Sequence, residues 1–204
     1  MSTPPASKVD VAFAVAGDAL PREHRHALAA ALEGELPWLA EQPDNGVHRL
    51  NVSAGGGPRA LLSQRTRLTL RVPRERAAAA ATLEGAALRL GPATLHVGAA
   101  QVRELLPWGT LYAHVVATDG DDNELAFLAA VDQALAALGV AGRPICGRLQ
   151  VLEAGALHGY GLMLDKLSAA DSLRLLESGI GAHRRLGCGL FVPHKSAAAV
   201  GAPP

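Results

Sequence analysis

The chain has 204 residues, 49% of them apolar and 3% aromatic, with a formal net charge of zero. That length suits one larger domain or two small ones, and the balanced charge counts against a free, non-specific nucleic-acid binder, whose affinity comes from neutralising phosphates. There is no run of the roughly 18 apolar residues a membrane span needs and no basic-then-apolar leader pattern, and the two cysteines, Cys146 and Cys188, form neither a disulfide framework nor a metal cluster, so a cytoplasmic protein with no membrane partner is expected.

Residues 1–8 are rich in proline and serine and are expected to be disordered, as is the Ser/Ala/Gly/Pro tail 196–204. Val9, Val11, Phe13 and Val15 alternate, which predicts a strand over 9–16. Pro21 sits where a first helical residue is tolerated, and a helix follows to about Leu36, with Leu20, Ala27, Leu28, Ala31 and Leu32 on one face. A second strand is expected over Val47–Ser53, then a turn at Gly55-Gly56-Gly57-Pro58. In Arg65–Val72 the apolar Leu68, Leu70 and Val72 point one way and Arg65, Arg67, Thr69 and Arg71 the other. An Ala-rich helix over 74–83 and a strand over 88–97, with a break at Gly91-Pro92, complete a β-α-β-β-α-β order.

The second half repeats that order. A long strand bent at Pro107 is expected over 101–117, and a helix over 123–138 with Gly139 as its C-cap. Strands at 143–152 and 157–164 meet at a turn around Ala154-Gly155, and Ser168 caps a helix that ends at Gly179. Cys188–Val192 closes the set as a strand. The fold class is therefore α+β, two tandem ferredoxin-like domains over 9–99 and 100–195.

Charge is local. Arg59–Arg76 holds six arginines and one acid, Glu75, while 183–195 holds Arg184, Arg185 and Lys195 with no acid. Segment 179–189 reads Gly-Ile-Gly-Ala-His-Arg-Arg-Leu-Gly-Cys-Gly, with glycines at Gly179, Gly181, Gly187 and Gly189. Composition alone leaves two readings open, a helix cap with a flexible turn or an anion-binding backbone loop carrying guanidinium forks. The loop runs from helix into strand, the reverse of a dinucleotide-binding loop.

The spacing Gly-x-Gly, five residues, Gly-x-Gly before a last short strand resembles the signature of the CRISPR-associated RAMP proteins. Within them the chain is most similar to the repeat-processing endoribonucleases, the sixth family of CRISPR-associated proteins, in the Myxan-type form. The likeness runs through Val9–Phe13, Leu20-Pro21 with His24, Leu36–Leu39, Gly46-Val47-His48, Leu105–Pro107, Leu111-Tyr112, Asp171–Leu175 and Gly187–Pro193. The resemblance implies binding of the CRISPR repeat and one cut per repeat to give mature guide RNAs. It further implies attack by the ribose 2′-OH on the adjacent phosphate, with a 2′,3′-cyclic phosphate and a 5′-OH as products and no metal or cofactor. Precursor and mature RNA are the implied partners, and other Cas proteins of an effector complex are compatible with it. It also implies that the glycine loop packs between the domains or touches RNA.

Such a reaction needs a proton acceptor, a cation beside the phosphate and a proton donor, and histidine suits either transfer. Of the eight histidines, His24, in line with Leu20 and Leu28 at the edge of the apolar helix face, is the first catalytic candidate. His48, on a strand face with Leu50 and Val52, is the second. His26 falls on the polar side of the helix, and His96, His114, His158 and Tyr160 read as structural. For RNA binding the candidates are Arg65, Arg67 and Arg71 on one acid-free strand face, and His183, Arg184, Arg185 and Lys195 around the loop. A non-catalytic RAMP subunit that grips guide RNA is the alternative, since it shares fold and loop. A small-molecule regulatory pair, also open to this fold, leaves the arginine face without a reason.

Overall fold

A computed structural model describes residues 5–17, 19–55, 57–118 and 122–195. The expectations for 1–4, for Gly56 in the glycine turn and for the tail 196–204 lie outside the described residues. The chain divides into two compact units. Among the described residues, one holds Ser7–Glu104 and His183–Gly187; the other holds residues 5–6, Leu105–Ala182 and residues 188–195.

In the first unit β1 (Lys8–Gly17) is followed by β2 (Leu20–Pro21), α1 (Arg25–Glu35), β3 (Gly46–Val47), β4 (Ser53–Ala54), β5 (Arg59–Leu61), β6 (Arg67–Pro73), α2 (Ala77–Ala81), β7 (Ala87–Leu90) and β8 (Ala93–Glu104). The main sheet runs β3-β6-β1-β8-β7. Its first four strands give the strand order of a ferredoxin-like fold, and β7 adds an edge hairpin to β8. A small sheet β2-β5-β4 lies beside it. Val9, Val11 and Phe13 of β1, Leu68, Leu70 and Val72 of β6, and Leu28 and Leu32 of α1 form one apolar core.

In the second unit β9 (Leu111–Ala117), α3 (Glu124–Leu138), β10 (Arg143–Leu152), β11 (Leu157–Asp165), α4 (Ala169–Ser178) and β12 (Phe191–Pro193) follow in turn. The sheet order β10-β11-β9-β12 is the same ferredoxin-like arrangement. Its core joins Leu111, Ala113, Leu162, Leu164 and Phe191 to Phe127 and Val131 of α3 and Leu175 of α4. Helix caps are chemical here. Asn123 accepts from Leu125 N and Ala126 N, Ser168 accepts from Asp171 N, and Gly139 closes α3 at φ 62°. No helix among the described residues is long and apolar enough to cross a membrane.

Several expectations change. The strand expected over Val47–Ser53 is only two short pieces, β3 and β4. Helix α1 starts at Arg25, because Leu20–Pro21 pairs with Arg59–Ala60 as a strand. The bent strand expected over 101–117 is two strands in two sheets. Residues 101–104 finish β8, paired with Val9–Ala12 of β1, and β9 starts at Leu111. The first unit thus reaches Glu104, past the expected boundary at 99, and it also takes His183–Gly187. Residues 5–8 contain buried Ala6, and Lys8 opens β1 with its ammonium on Asp44 at 2.6 Å.

Candidate active site

His24 stands at the N-terminal boundary of α1 and is 6% exposed. Its Nδ1 lies 2.9 Å from the Pro21 carbonyl oxygen. A carbonyl only accepts, so Nδ1 carries the proton, and the lone pair of the neutral ring is on Nε2. The side chain does not cap the helix: no backbone N–H of the first turn bonds to it. Strand pairing of Pro21 with Arg59 holds the acceptor carbonyl in place.

His48 follows β3 and is tied by its N–H to Thr69 O at 2.9 Å. Its Nε2 is buried, 3.5 Å from Asp10 Oδ1, at the outer limit of hydrogen-bonding reach. Asp10 is also gripped by Arg71 through a two-pronged contact, Nε to Oδ1 at 2.8 Å and Nη2 to Oδ2 at 2.9 Å. Asp10 and Arg71 are register partners on β1 and β6. Burial would raise the Asp10 carboxyl, but the hydrogen bonds from Arg71 and the nearby His48 ring outweigh it and hold the group well below the usual carboxylate range. Burial, helped by the Arg71 charge, pushes His48 below the ordinary imidazole value against the pull of Asp10.

His24 and His48 meet at one small pocket, lined also by Arg25, Arg49 and Arg185, all within the first unit. Its volume is about 10 Å³, close to the lower limit for a single water. A second, larger pocket of about 320 Å³ is lined by His26, Glu33, His183 and Arg185.

The glycine loop builds part of this wall. A 3-10 turn spans Arg184–Leu186, preceded by His183 at φ 60° and followed by Gly187 at φ 78°. Arg25 Nη1 donates to Leu186 O at 2.5 Å. A Cβ on Gly187 would stand 3.1 Å from Arg49 N and 3.3 Å from Val47 O, so the backbone approach that closes the pocket needs glycine there. In the second unit Gly189 donates to Val115 O at 2.8 Å and accepts from Ile180 N at 3.1 Å. A Cβ on Gly189, at φ 65°, would overlap the Ile180 carbonyl oxygen. Gly179 and Gly181 also have positive φ.

The expected arginine face is corrected by the structure. Arg71 is 1% exposed and committed to Asp10, so it presents no charge to a phosphate. Arg67 is half-buried and folds onto its own backbone, donating to Gln64 O and Thr66 O, both at 2.8 Å. Arg65 lies before β6, not on it, and is exposed. Alternation gives the side of a strand but not whether that side is covered. Arg185 is ion-paired with Glu33. Arg184 is partly buried, and burial lowers its affinity for a proton despite the nearby Asp44. His183 is exposed in the first unit and Lys195 in the second. His158 pairs with Asp122 at 2.8 Å, which raises its pKa, and the Tyr160 hydroxyl donates to Asp122 O at 2.7 Å. Sequence reasoning missed Asp10, Arg25 and Arg49. A carboxylate inside an otherwise apolar strand, at Asp10, was the one available signal.

The family described as Cas6 Crispr matches residues 9–196. The CRISPR-associated endonuclease Cas6 of Myxococcus xanthus is 37% identical over 194 residues, covering 94% of this chain and 84% of that protein. A solved CRISPR-associated protein Cas6 superposes with a TM-score of 0.65 at 11% identity, over 92% of this chain and 100% of that one. A RAMP protein described as binding different RNA substrates superposes with a TM-score of 0.58 at 13% identity, over 90% and 98% of the two chains. At those identities the solved structures carry the fold alone, tandem ferredoxin-like units. The match across nearly the whole sequence shows that the chain belongs to the Cas6 family of CRISPR-associated endonucleases.

Proposed function

We propose that this protein cuts the repeat of a CRISPR precursor transcript once per repeat, without metal, by attack of a ribose 2′-OH on the adjacent phosphate. The observation that supports it is the hydroxyl-sized dimple beside His24, whose tautomer the Pro21 carbonyl fixes, with guanidinium groups on its wall. The 2′-OH enters the dimple and gives its proton to His24 Nε2 as the 2′-oxygen bonds to phosphorus. Negative charge gathers on the phosphoryl oxygens and meets the cationic side formed by Arg25 and Arg49. The bond from phosphorus to the 5′-oxygen breaks, and that oxygen takes a proton from water. A 2′,3′-cyclic phosphate and a 5′-OH remain.

His48 has a different part in this reading. Its buried Nε2 faces Asp10, and burial keeps the ring neutral. It is a positioning residue that holds the pocket wall through Asp10 and Arg71, not a second proton donor. RNA contact falls to Arg65, His183, Arg184, Arg185 and Lys195. The reaction runs in the cytoplasm, on precursor RNA.

The test is cleavage of labelled repeat RNA by purified protein in EDTA. The expected result is one discrete cut whose upstream fragment ends in a cyclic phosphate. Binding without cutting would instead identify a non-catalytic RNA-gripping subunit.

A further inference from the structure

We propose that a proline-walled cavity at the end of β1 is a subsite for one unpaired nucleotide of the repeat RNA. This rests on the reading of the chain as a repeat-RNA endonuclease. The cavity holds about 960 Å³, at the upper end of the range typical of small-molecule sites. Strand pairing assembles it from distant segments. Gly17 ends β1, Pro21 of β2 lies opposite Arg59 of β5, and His96 of β8 lies opposite Ala16. Pro58 and Pro92 close the sides.

The lining has the composition a base and its phosphate require. Among its described lining residues the walls are mostly apolar, and two groups are ionisable, the exposed Arg59 and His96. No acid is among its described lining residues. An unstacked base lies flat against imidazole or guanidinium planes, and a guanidinium also forks onto phosphate oxygens. Among the described lining residues His96 is the one with an aromatic ring for stacking.

The cavity is joined to the chemistry by one residue. Pro21 lines it, and the Pro21 carbonyl is the acceptor that fixes the His24 ring. A nucleotide seated on β2 therefore rests on the segment that orients the base. That continuity favours a nucleotide of the RNA being cut over a free mononucleotide, for which the link to His24 would have no use.

The experiment measures binding and single-turnover cutting of labelled repeat RNA by the wild type and by Arg59→Ala, His96→Ala and Ala93→Trp. The RNAs are the intact repeat and a series with one abasic nucleotide at each unpaired position. One abasic position is expected to weaken binding to the wild type about tenfold, as loss of a stacked base does. Ala93→Trp fills the cavity and should show that loss on intact RNA, with no further loss on the abasic one. Arg59→Ala and His96→Ala, both at exposed side chains, should reproduce part of it at an unchanged Tm. The proposal is overturned if folded variants and wild type bind and cut all these RNAs alike, or if the two losses simply add. It is also overturned if AMP, GMP, CMP or UMP binds the wild type but not Ala93→Trp while RNA binding is indifferent to both. A wild type that neither binds nor cuts intact repeat RNA would remove the parent reading as well, which sets that failure apart from the others.

Discussion

The two ferredoxin-like units use the same strand order and treat their helix starts differently. In the second unit both helices begin with a side-chain cap, Asn123 for α3 and Ser168 for α4. In the first unit α1 begins at His24, which caps nothing and bonds backwards to Pro21. A good N-cap contributes about 1 kcal/mol, so the first unit forgoes a local stabilisation that the second one has. The interiors differ as well. The buried polar side chains of the second unit, Thr110 and Ser172, are neutral among the described residues, while the first unit buries the charged Lys8 and Arg71, the latter paired with Asp10. In the function proposed above, the second unit serves as scaffold and the first gives up stability for the site.

The contrast can be broken most sharply at His24. His24→Ala should lower the single-turnover rate of repeat cutting by about 10²–10⁴-fold, the usual worth of a general base, with RNA affinity within a factor of about two of wild type. Normal cutting by this variant would move the base elsewhere and end the comparison.

Removing Arg71 should have the largest effect on stability. Arg71→Ala leaves a buried carboxylate without its partner, at a cost of about 3–5 kcal/mol in denaturant unfolding. A loss under about 1 kcal/mol would mean that the pair is solvated and the interior contrast is false.

Stability should also depend on pH in one direction. His48 is held below its unfolded value, so the unfolded chain binds the extra proton first as pH falls. Its contribution is fully present above the unfolded imidazole pKa and is lost as pH drops through it toward the folded value. Asp10, also held low, adds a contribution present above the ordinary carboxylate range and lost below it. Unfolding free energy should therefore fall between about pH 7 and 5, and His48→Gln should flatten that fall. An unchanged slope in the variant would show that another group carries it.

The smallest effect should come from the second unit. Asn123→Ala removes the α3 cap and should cost about 1 kcal/mol in urea unfolding, with the cutting rate unchanged. A large drop in cutting at retained fold would show that the second unit is more than scaffold.

Much of the fold was legible because it rests on local rules. Val9, Val11 and Phe13 alternate into a core whatever lies around them, and Asn123, Ser168 and Gly139 act on their own helices. The divisions that failed were decided by partners. Residues 101–104 extend β8 because β1 offers them an edge, and Val47–Ser53 breaks up because β6 pairs only with its start. His24 was legible from its helix position, and the pocket wall around it was not, since Arg49 and Arg185 reach it from other segments.

The amino-acid order alone determined the period of each element, the caps of α3 and α4, and the glycines that allow positive φ at 179, 181, 187 and 189. Only the tertiary structure decided that Arg71 is an interior ion, that His48 turns its Nε2 to Asp10, and that residues 183–187 pack with the first unit. Periodicity and capping act over a few residues, whereas burial and ion pairing depend on which distant strand arrives alongside. Asp10 meets Arg71 only once β1 and β6 have paired in register.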